Sequence, residues 1–357
     1  MKKVLLAALL SFALPAALAP RAKACTTFCL AAGDGVYFGK NYDWQIGRGF
    51  IFVNKRGLAK SALVGPPHTP ARWTAKYGSL SFNQYGREQP HGGINEAGLV
   101  VELMWLDAAE YPAPDSRPAA DVLSWIQYQL DNFATVGEVV ANGERLRIAS
   151  QVKLHYLVAD RAGRAATVEF IGGRLVAHTG ATLPAPVLTN DTYSESVAYL
   201  KAHEGFGGTR ALPRGAGSLE RFARAAALVK GYKPGPRPAV EYAFDVLADV
   251  AQPSATQWSI VYDLRNLRAH FRTRDNPRTR TVALSAFDLS CATPAKMLDM
   301  NAPDQAGDVS KQFSDYAREA NRALIEFSFR NTSFLSNVPA PVLDALAAFP
   351  ESMPCRR

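Results

Sequence analysis

One cysteine of this 357-residue chain stands where processing would give it unusual chemistry. Met1-Lys2-Lys3 opens an apolar run from Val4 to Ala19, broken by Ser11 and Pro15, and Ala22-Lys23-Ala24 follows as a small-x-small triplet. These are the charged start, apolar centre and cleavage site of a secretory leader. The run falls short of the ~20 residues a membrane-spanning helix needs, so residues 1–24 read as a cleaved leader and no membrane anchor is expected. The alternative triplet Ala17-Leu18-Ala19 leads into Pro20, a poor residue after a cut. A lipoprotein signal would carry Leu three places before the cysteine with small residues between, where Ala22 and Lys23 stand. The expected location is periplasmic or secreted.

Cleavage after Ala24 makes Cys25 the N-terminus and puts a thiol and an α-amine on one residue. With a usual pKa of about 7.7–8.0, roughly a tenth of such an amine is neutral at pH 7. It can take the thiol proton without a histidine. The plain alternative is a cysteine that is merely buried or disulfide-bonded. A Cys–His pair of the papain kind would have to recruit an isolated histidine such as His91 or His155.

The surrounding residues carry a resemblance. Cys25-Thr26-Thr27-Phe28 precedes a short hairpin and Gly39-Lys40-Asn41-Tyr42-Asp43-Trp44. Gly93-Ile94-Asn95-Glu96-Ala97-Gly98-Leu99, Val187-Leu188-Thr189-Asn190 and Ser218-Leu219-Glu220-Arg221-Phe222 follow in order. Together they resemble the choloylglycine hydrolase family, N-terminal-nucleophile hydrolases that include bile salt hydrolases and penicillin V acylases. The resemblance implies an αββα sandwich of two antiparallel sheets flanked by helices, and a hydrolase that cleaves a linear amide through an acyl-enzyme. It makes Cys25 the nucleophile, Asp43 the carboxylate that holds the amine, and Asn190 the side-chain donor of an oxyanion hole. The second donor falls on the backbone N–H of Trp105, and Arg221 matches an arginine near the nucleophile. Read alone, Asp43 and Asn190 would be turn or surface residues and Arg221 a solvated helix residue.

Two positions depart from the family pattern. Lys40 stands where the family usually has Arg, an exchange of a planar fork for a single ammonium that is not neutral. Trp105 replaces the Asn of bile salt hydrolases and the Tyr of many penicillin V acylases. With Trp44 it resembles the Gram-negative penicillin V acylase branch, whose members also cleave acyl-homoserine lactones. Two indoles suit an aryl or fatty acyl chain as substrate, unless both are core residues. An acyltransferase on the same fold, a bile salt hydrolase and a non-catalytic envelope protein are the competing readings. A homo-oligomer stays open, but the tetramer of Gram-positive members does not carry over. It uses a longer insertion than residues 191–220 provide.

The elements that must position these residues follow from hydrophobic periodicity. Residues 26–30 and 36–38 read as strands around a Gly33-Asp34-Gly35 turn, Gly92-Gly93 as a turn, and 98–105 as a buried strand. Val122, Leu123, Ile126, Leu130 and Phe133 predict a helix over 119–133, with another after Thr135. A meander is expected at 154–159, 166–171 and 174–178, then a helix capped by Ser218 and one over 239–250. Strands at 258–264, 267–273 and 281–286 precede helices at 308–328 and 340–348. Helices lie between groups of antiparallel strands, which is α+β, and no linker divides residues 25–357, which read as one domain. Cys29 lies too far along the strand to bond Cys25, while Cys291 and Cys355 could pair in an oxidising periplasm. No cluster has metal-ligand spacing, and no cofactor is expected. The formal charge of +8 becomes +4 without Lys2, Lys3, Arg21 and Lys23, and its cations are scattered, so nucleic acid is not an expected partner.

Overall fold

A computed structural model describes residues 25–33 and 35–356, so the expected leader lies outside the described residues. The first hairpin pairs Thr26–Ala32 with Gly35–Asp43, from Thr26 opposite Asn41 to Ala32 opposite Gly35. Nearly every position of it is buried, as a pair of strands covered on both faces requires. The hairpin belongs to a seven-stranded sheet in the order Val187–Leu188, Thr26–Ala32, Gly35–Asp43, Thr256–Asp263, Arg268–Thr273, Arg280–Ala283 and Gly307–Asp308.

A second sheet has nine strands, in the order Arg174–Thr179, Ala165–Ile171, Leu154–Ala159, Val100–Trp105, Pro90–Asn95, Ser79–Asn83, Phe50–Asn54, Lys296–Asp299 and Ser314–Asp315. Phe38, Ile51, Phe82, Ile94 and Tyr262 fill the space between the sheets. Helices Tyr193–Leu200, Ser218–Gly231 and Ala239–Asp249 cover the seven-stranded sheet. Val122–Asn132 and Val136–Asn142 cover the nine-stranded one, burying Trp125, Ile126 and Leu130 against Tyr156 and Val101. The layers are therefore α, β, β, α, as expected. Helices Arg318–Arg330 and Ala340–Ala348 pack on each other and on Tyr85 as a small separate cluster. No helix among the described residues is long and apolar enough to cross a membrane.

Strand alternation decides what the hairpin presents to each side. Thr27 and Lys40 point between the sheets, where Thr27 Oγ1 meets Met104 Sδ at 3.3 Å and Lys40 meets the strand Val100–Trp105. Thr26 and Asn41 point to the helical layer, where they bond Arg221 and the Leu247 carbonyl.

Local predictions fail where tertiary contacts intervene. Gly92 and Gly93 lie inside the strand Pro90–Asn95, not in a turn. A Cβ on Gly92 would sit 2.1 Å from the Glu102 carboxyl carbon, so that glycine makes room for a buried carboxyl group. The turn comes at Gly98, with φ +86, where Asn95 Oδ1 accepts from the Ala97 and Leu99 amides. Helix Val122–Asn132 starts later than predicted because Asp121 caps it, leaving Ala119–Ala120 to pair with Arg147–Ile148. Ser218 is not a cap: the cap is Gly217, and the Ser218 hydroxyl accepts instead from the Asn190 amide. The polar stretch from 308 forms the short turn Ser310–Gln312 and an edge strand, delaying the helix to Arg318. Cys291 and Cys355 form a disulfide, and Cys25 and Cys29 are free.

Candidate active site

Cys25 begins the first strand and is 4% exposed. Burial pushes its thiol pKa up. Lys40, Arg221 and a backbone hydrogen bond from Asp43 pull it back, against a rise from the Asp43 charge. Cys29 lacks such cations, and burial pushes its thiol up to about 12.

Asp43 ends the second strand, and its carboxylate is fixed at both oxygens. Oδ1 accepts from Thr256 Oγ1 at 2.5 Å and Oδ2 from Gln252 Nε2 at 3.0 Å. Burial raises its pKa, while the Thr256 bond, Arg221, the Gln252 bond and Lys40 favour the charged form.

Arg221 is fully buried in helix Ser218–Gly231 and ties three segments together. Nη1 donates to the Cys25 carbonyl at 2.8 Å and to Thr26 Oγ1, Nη2 to Asn190 Oδ1 at 3.1 Å, and Nε to the Ala216 carbonyl at 3.1 Å. Asn190 Nδ2 in turn donates to the Trp105 carbonyl at 2.8 Å. A guanidinium on one side and a carbonyl on the other allow only one orientation of that amide. One of its two Nδ2 hydrogens is left for a further acceptor.

The Trp105 amide also has a defined direction. The Leu106 amide bonds the Lys153 carbonyl, and Trp105 faces Leu154 across the same ladder. In an antiparallel pair that alternation turns the Trp105 N–H away from strand Leu154–Ala159. On its other side the ladder with Pro90–Asn95 has already ended at Glu102 opposite Gly92.

Lys40 is buried beneath the cysteine. Its ammonium donates to the Leu103 carbonyl and lies 3.8 Å from Glu102 Oε2. Glu102 Oε1 accepts from the Tyr262 hydroxyl at 2.6 Å, and burial lifts the Glu102 pKa to about 7.

An apolar pocket opens beside Cys25 and Asp43, lined by Tyr42, Trp44, Leu103, Trp105, Leu154 and Phe329 among others. The Trp44 and Trp105 rings stack at 6.3 Å and 30°, and both line the pocket from the margin of the core. Trp44 Nε1 donates to the Tyr85 hydroxyl at 3.0 Å.

Of the two histidines considered as partners, His155 is engaged elsewhere and His91 is held neutral beside the pocket. His155 bonds Glu169 Oε1 at 3.0 Å and the Thr189 carbonyl at 2.8 Å. His91 lines the pocket, stacked on Tyr85, and burial together with Lys40 drives its pKa down to about 3. Among the described residues no hydrogen bond joins the Cys25 thiol to a histidine. No three His, Cys, Asp or Glu side chains among them gather as metal ligands would.

All seven candidates, Cys25, Lys40, Asp43, Trp44, Trp105, Asn190 and Arg221, thus converge on one site. Sequence reasoning missed Thr256 and Gln252, which carry no local signal and lie more than 200 residues from Asp43. It also missed Glu102, whose signal was visible: a lone acid inside the apolar strand Val100–Trp105.

An N-terminal-nucleophile type of sandwich, with a cysteine at the head of a central strand, is the class of protein this fold and site define. Residues 25–297 match the profile of the linear amide C–N hydrolases, choloylglycine hydrolase family. The chain belongs to that family and is a linear amide C–N hydrolase. Among solved structures, the penicillin V acylase of Agrobacterium tumefaciens superposes with a TM-score of 0.73 at 30% identity, over 82% of this chain and 98% of that one. The penicillin V acylase of Pectobacterium atrosepticum is 27% identical over 292 residues, 70% of this chain and 77% of the relative. A conjugated bile acid hydrolase from Clostridium perfringens, 20% identical, shares the fold with a TM-score of 0.64 over 78% of this chain and 98% of that one.

Proposed function

We propose that export removes residues 1–24 and exposes Cys25 as an N-terminal nucleophile that hydrolyses amides of aryl or fatty acids, of the kind found in penicillin V and acyl-homoserine lactones. The observation that carries this reading is the chain of hydrogen bonds from the Cys25 carbonyl through Arg221 and Asn190 to Trp105, closing one side of an apolar pocket.

In this mechanism the α-amine of Cys25 takes the thiol proton and the sulfur attacks the amide carbonyl, forming a C–S bond. The oxyanion is held by the spare Asn190 Nδ2–H and the Trp105 N–H, two donors typically worth several kcal/mol at the transition state. Asp43 stabilises the ammonium formed at the N-terminus, and Lys40 favours thiolate. Collapse breaks the C–N bond as the ammonium returns its proton to the leaving amine. Water then attacks the thioester carbonyl, forming a C–O bond and breaking the C–S bond; the amine takes a proton from the water and returns it to the sulfur as the carboxylic acid leaves. The Trp44–Trp105 pair receives the acyl chain by burying apolar surface. The two relatives named penicillin V acylases support this substrate class.

The test is an intact mass and N-terminal sequence of exported protein, followed by kcat/KM on phenoxymethylpenicillin. Protein beginning at Cys25 should turn over, and a folded variant that keeps Ala24 ahead of Cys25 should not. Full turnover by the latter, with its N-terminus verified, rejects the mechanism.

A further inference from the structure

The family profile ends at residue 297, and every residue given a role in the proposed hydrolysis lies at or before Arg221. The C-terminal segment nevertheless reaches the pocket: Phe329, Phe334 and Leu335 form part of its wall. We propose that segment 318–335 is a specificity element that sets how long an acyl chain the site accepts. This rests on the reading of the pocket as an acyl site.

The segment is fixed to the pocket by contacts along the loop 84–87. The Ser328 hydroxyl donates to the Gln84 carbonyl at 2.6 Å, and Asn321 Oδ1 accepts from the Arg87 amide at 2.9 Å. Between them, a Cβ on Gly86 would come within 2.7 Å of Ile325, so only a glycine lets the helix lie this close. The Gly86 φ of +104 is also one that glycine tolerates and side-chain-bearing residues avoid.

Tyr85 passes the contact to the reacting end. Its hydroxyl pairs with Thr332 Oγ1 at 2.7 Å and accepts from Trp44 Nε1, while its ring meets the Phe329 ring edge-on at 5.7 Å. Trp44 follows Asp43 directly. Contacts therefore run from Asp43 through Trp44 and Tyr85 to the C-terminal segment, whose Phe334 and Leu335 line the same pocket and, in this proposal, form its distal wall.

The far end of the chain is tied down as well. The Cys291–Cys355 disulfide and the bonds from Ala59 N to the Pro354 carbonyl and from Arg356 N to the Gly57 carbonyl anchor it to the body of the protein. A wall so held is rigid enough to discriminate by length. It offers aromatic and aliphatic carbon and no charge, so the ligand it measures is an unbranched hydrocarbon or aryl-ended acyl chain.

The experiment measures kcat/KM for acyl p-nitroanilides from acetyl to dodecanoyl, with wild type, Phe334→Ala, Phe334→Trp and Leu335→Ala. Both residues are half-buried, and Phe334 lies outside the core clusters while Leu335 packs on the small C-terminal one, so unfolding is measured alongside. The chain-length optimum should move to longer acyl groups in both alanine variants and to shorter ones in Phe334→Trp, by roughly fourfold in kcat/KM per methylene gained or lost. Leu335→Ala and Phe334→Trp carry the test if Phe334→Ala does not fold. Length profiles parallel to wild type in the folded variants overturn the proposal and leave the hydrolase reading standing. Wild-type protein, processed at Cys25, that cleaves none of the series nor phenoxymethylpenicillin overturns the reading on which it rests.

Discussion

Asn190 offers the sharpest separation of catalysis from stability. Its side chain makes one bond from Arg221 Nη2 at 3.1 Å and one to the Trp105 carbonyl at 2.8 Å, and its remaining N–H is assigned to the oxyanion. Replacement by alanine removes all three. The lost oxyanion donor should cost about 2.7–4 kcal/mol at the transition state, a 10²–10³-fold fall in kcat. The two structural bonds are worth about 1 kcal/mol each, which in a chain of this size lowers Tm by a few degrees. Arg221 keeps its bonds to Cys25, Thr26 and Ala216, so the site does not collapse. Asn190→Asp completes the test because it preserves shape and inverts chemistry. Its carboxylate still accepts from Arg221, now as an ion pair, but its other oxygen cannot donate to the Trp105 carbonyl and repels both that oxygen and a developing oxyanion. Its kcat should be no higher than that of Asn190→Ala. The assay is amine release from phenoxymethylpenicillin by N-terminally verified protein, alongside calorimetric unfolding. An alanine variant within tenfold of wild-type kcat, or an aspartate variant more active than it, refutes the assignment.

Three further outcomes follow from the geometry. In processed protein, iodoacetamide at pH 8 should label Cys25 well before Cys29, whose thiol burial pushes up to about 12. Cys29→Ser should keep most activity while Cys25→Ser loses orders of magnitude, and reversed results would reject Cys25. Glu102 holds its proton up to about 7 in the folded state against an ordinary 4.5, so the native state binds more protons between those values. Its contribution to stability is present below about 4.5 and lost as pH rises through about 7. Urea midpoints should therefore fall less between pH 5 and 7.5 in Glu102→Gln than in wild type, and an unchanged difference would contradict the burial argument. The disulfide closes a separation of 64 residues, so Cys355→Ser should lower unfolding free energy by up to about 4 kcal/mol, read from the urea midpoint in non-reducing buffer. No loss would show that the link does not constrain the unfolded chain.

The family and the candidate site residues were legible along the chain because the resemblance that carries them sits in short contiguous blocks. Cys25, Asp43, Asn190 and Arg221 are each flanked by the strand or helix pattern that places them, so order along the chain was enough to find them. The α+β class, the meander and most helices were legible for the same reason: periodicity is a local property. The tertiary structure alone decided who supports these residues. Thr256 and Gln252 fix the Asp43 carboxylate from the neighbouring strand and the loop that leads into it, and the Asn190 amide takes the Ser218 hydroxyl that would otherwise have capped a helix. Gly92 reads as a turn until the Glu102 carboxyl is seen in the space of its missing side chain. The C-terminal segment reads as an ordinary amphipathic helix until Tyr85 joins it to Trp44. In each case the deciding term is a hydrogen bond or a steric contact between residues distant in the chain. Such pairings depend on how sheets and helices stack, and nothing in the spacing of either residue alone encodes them.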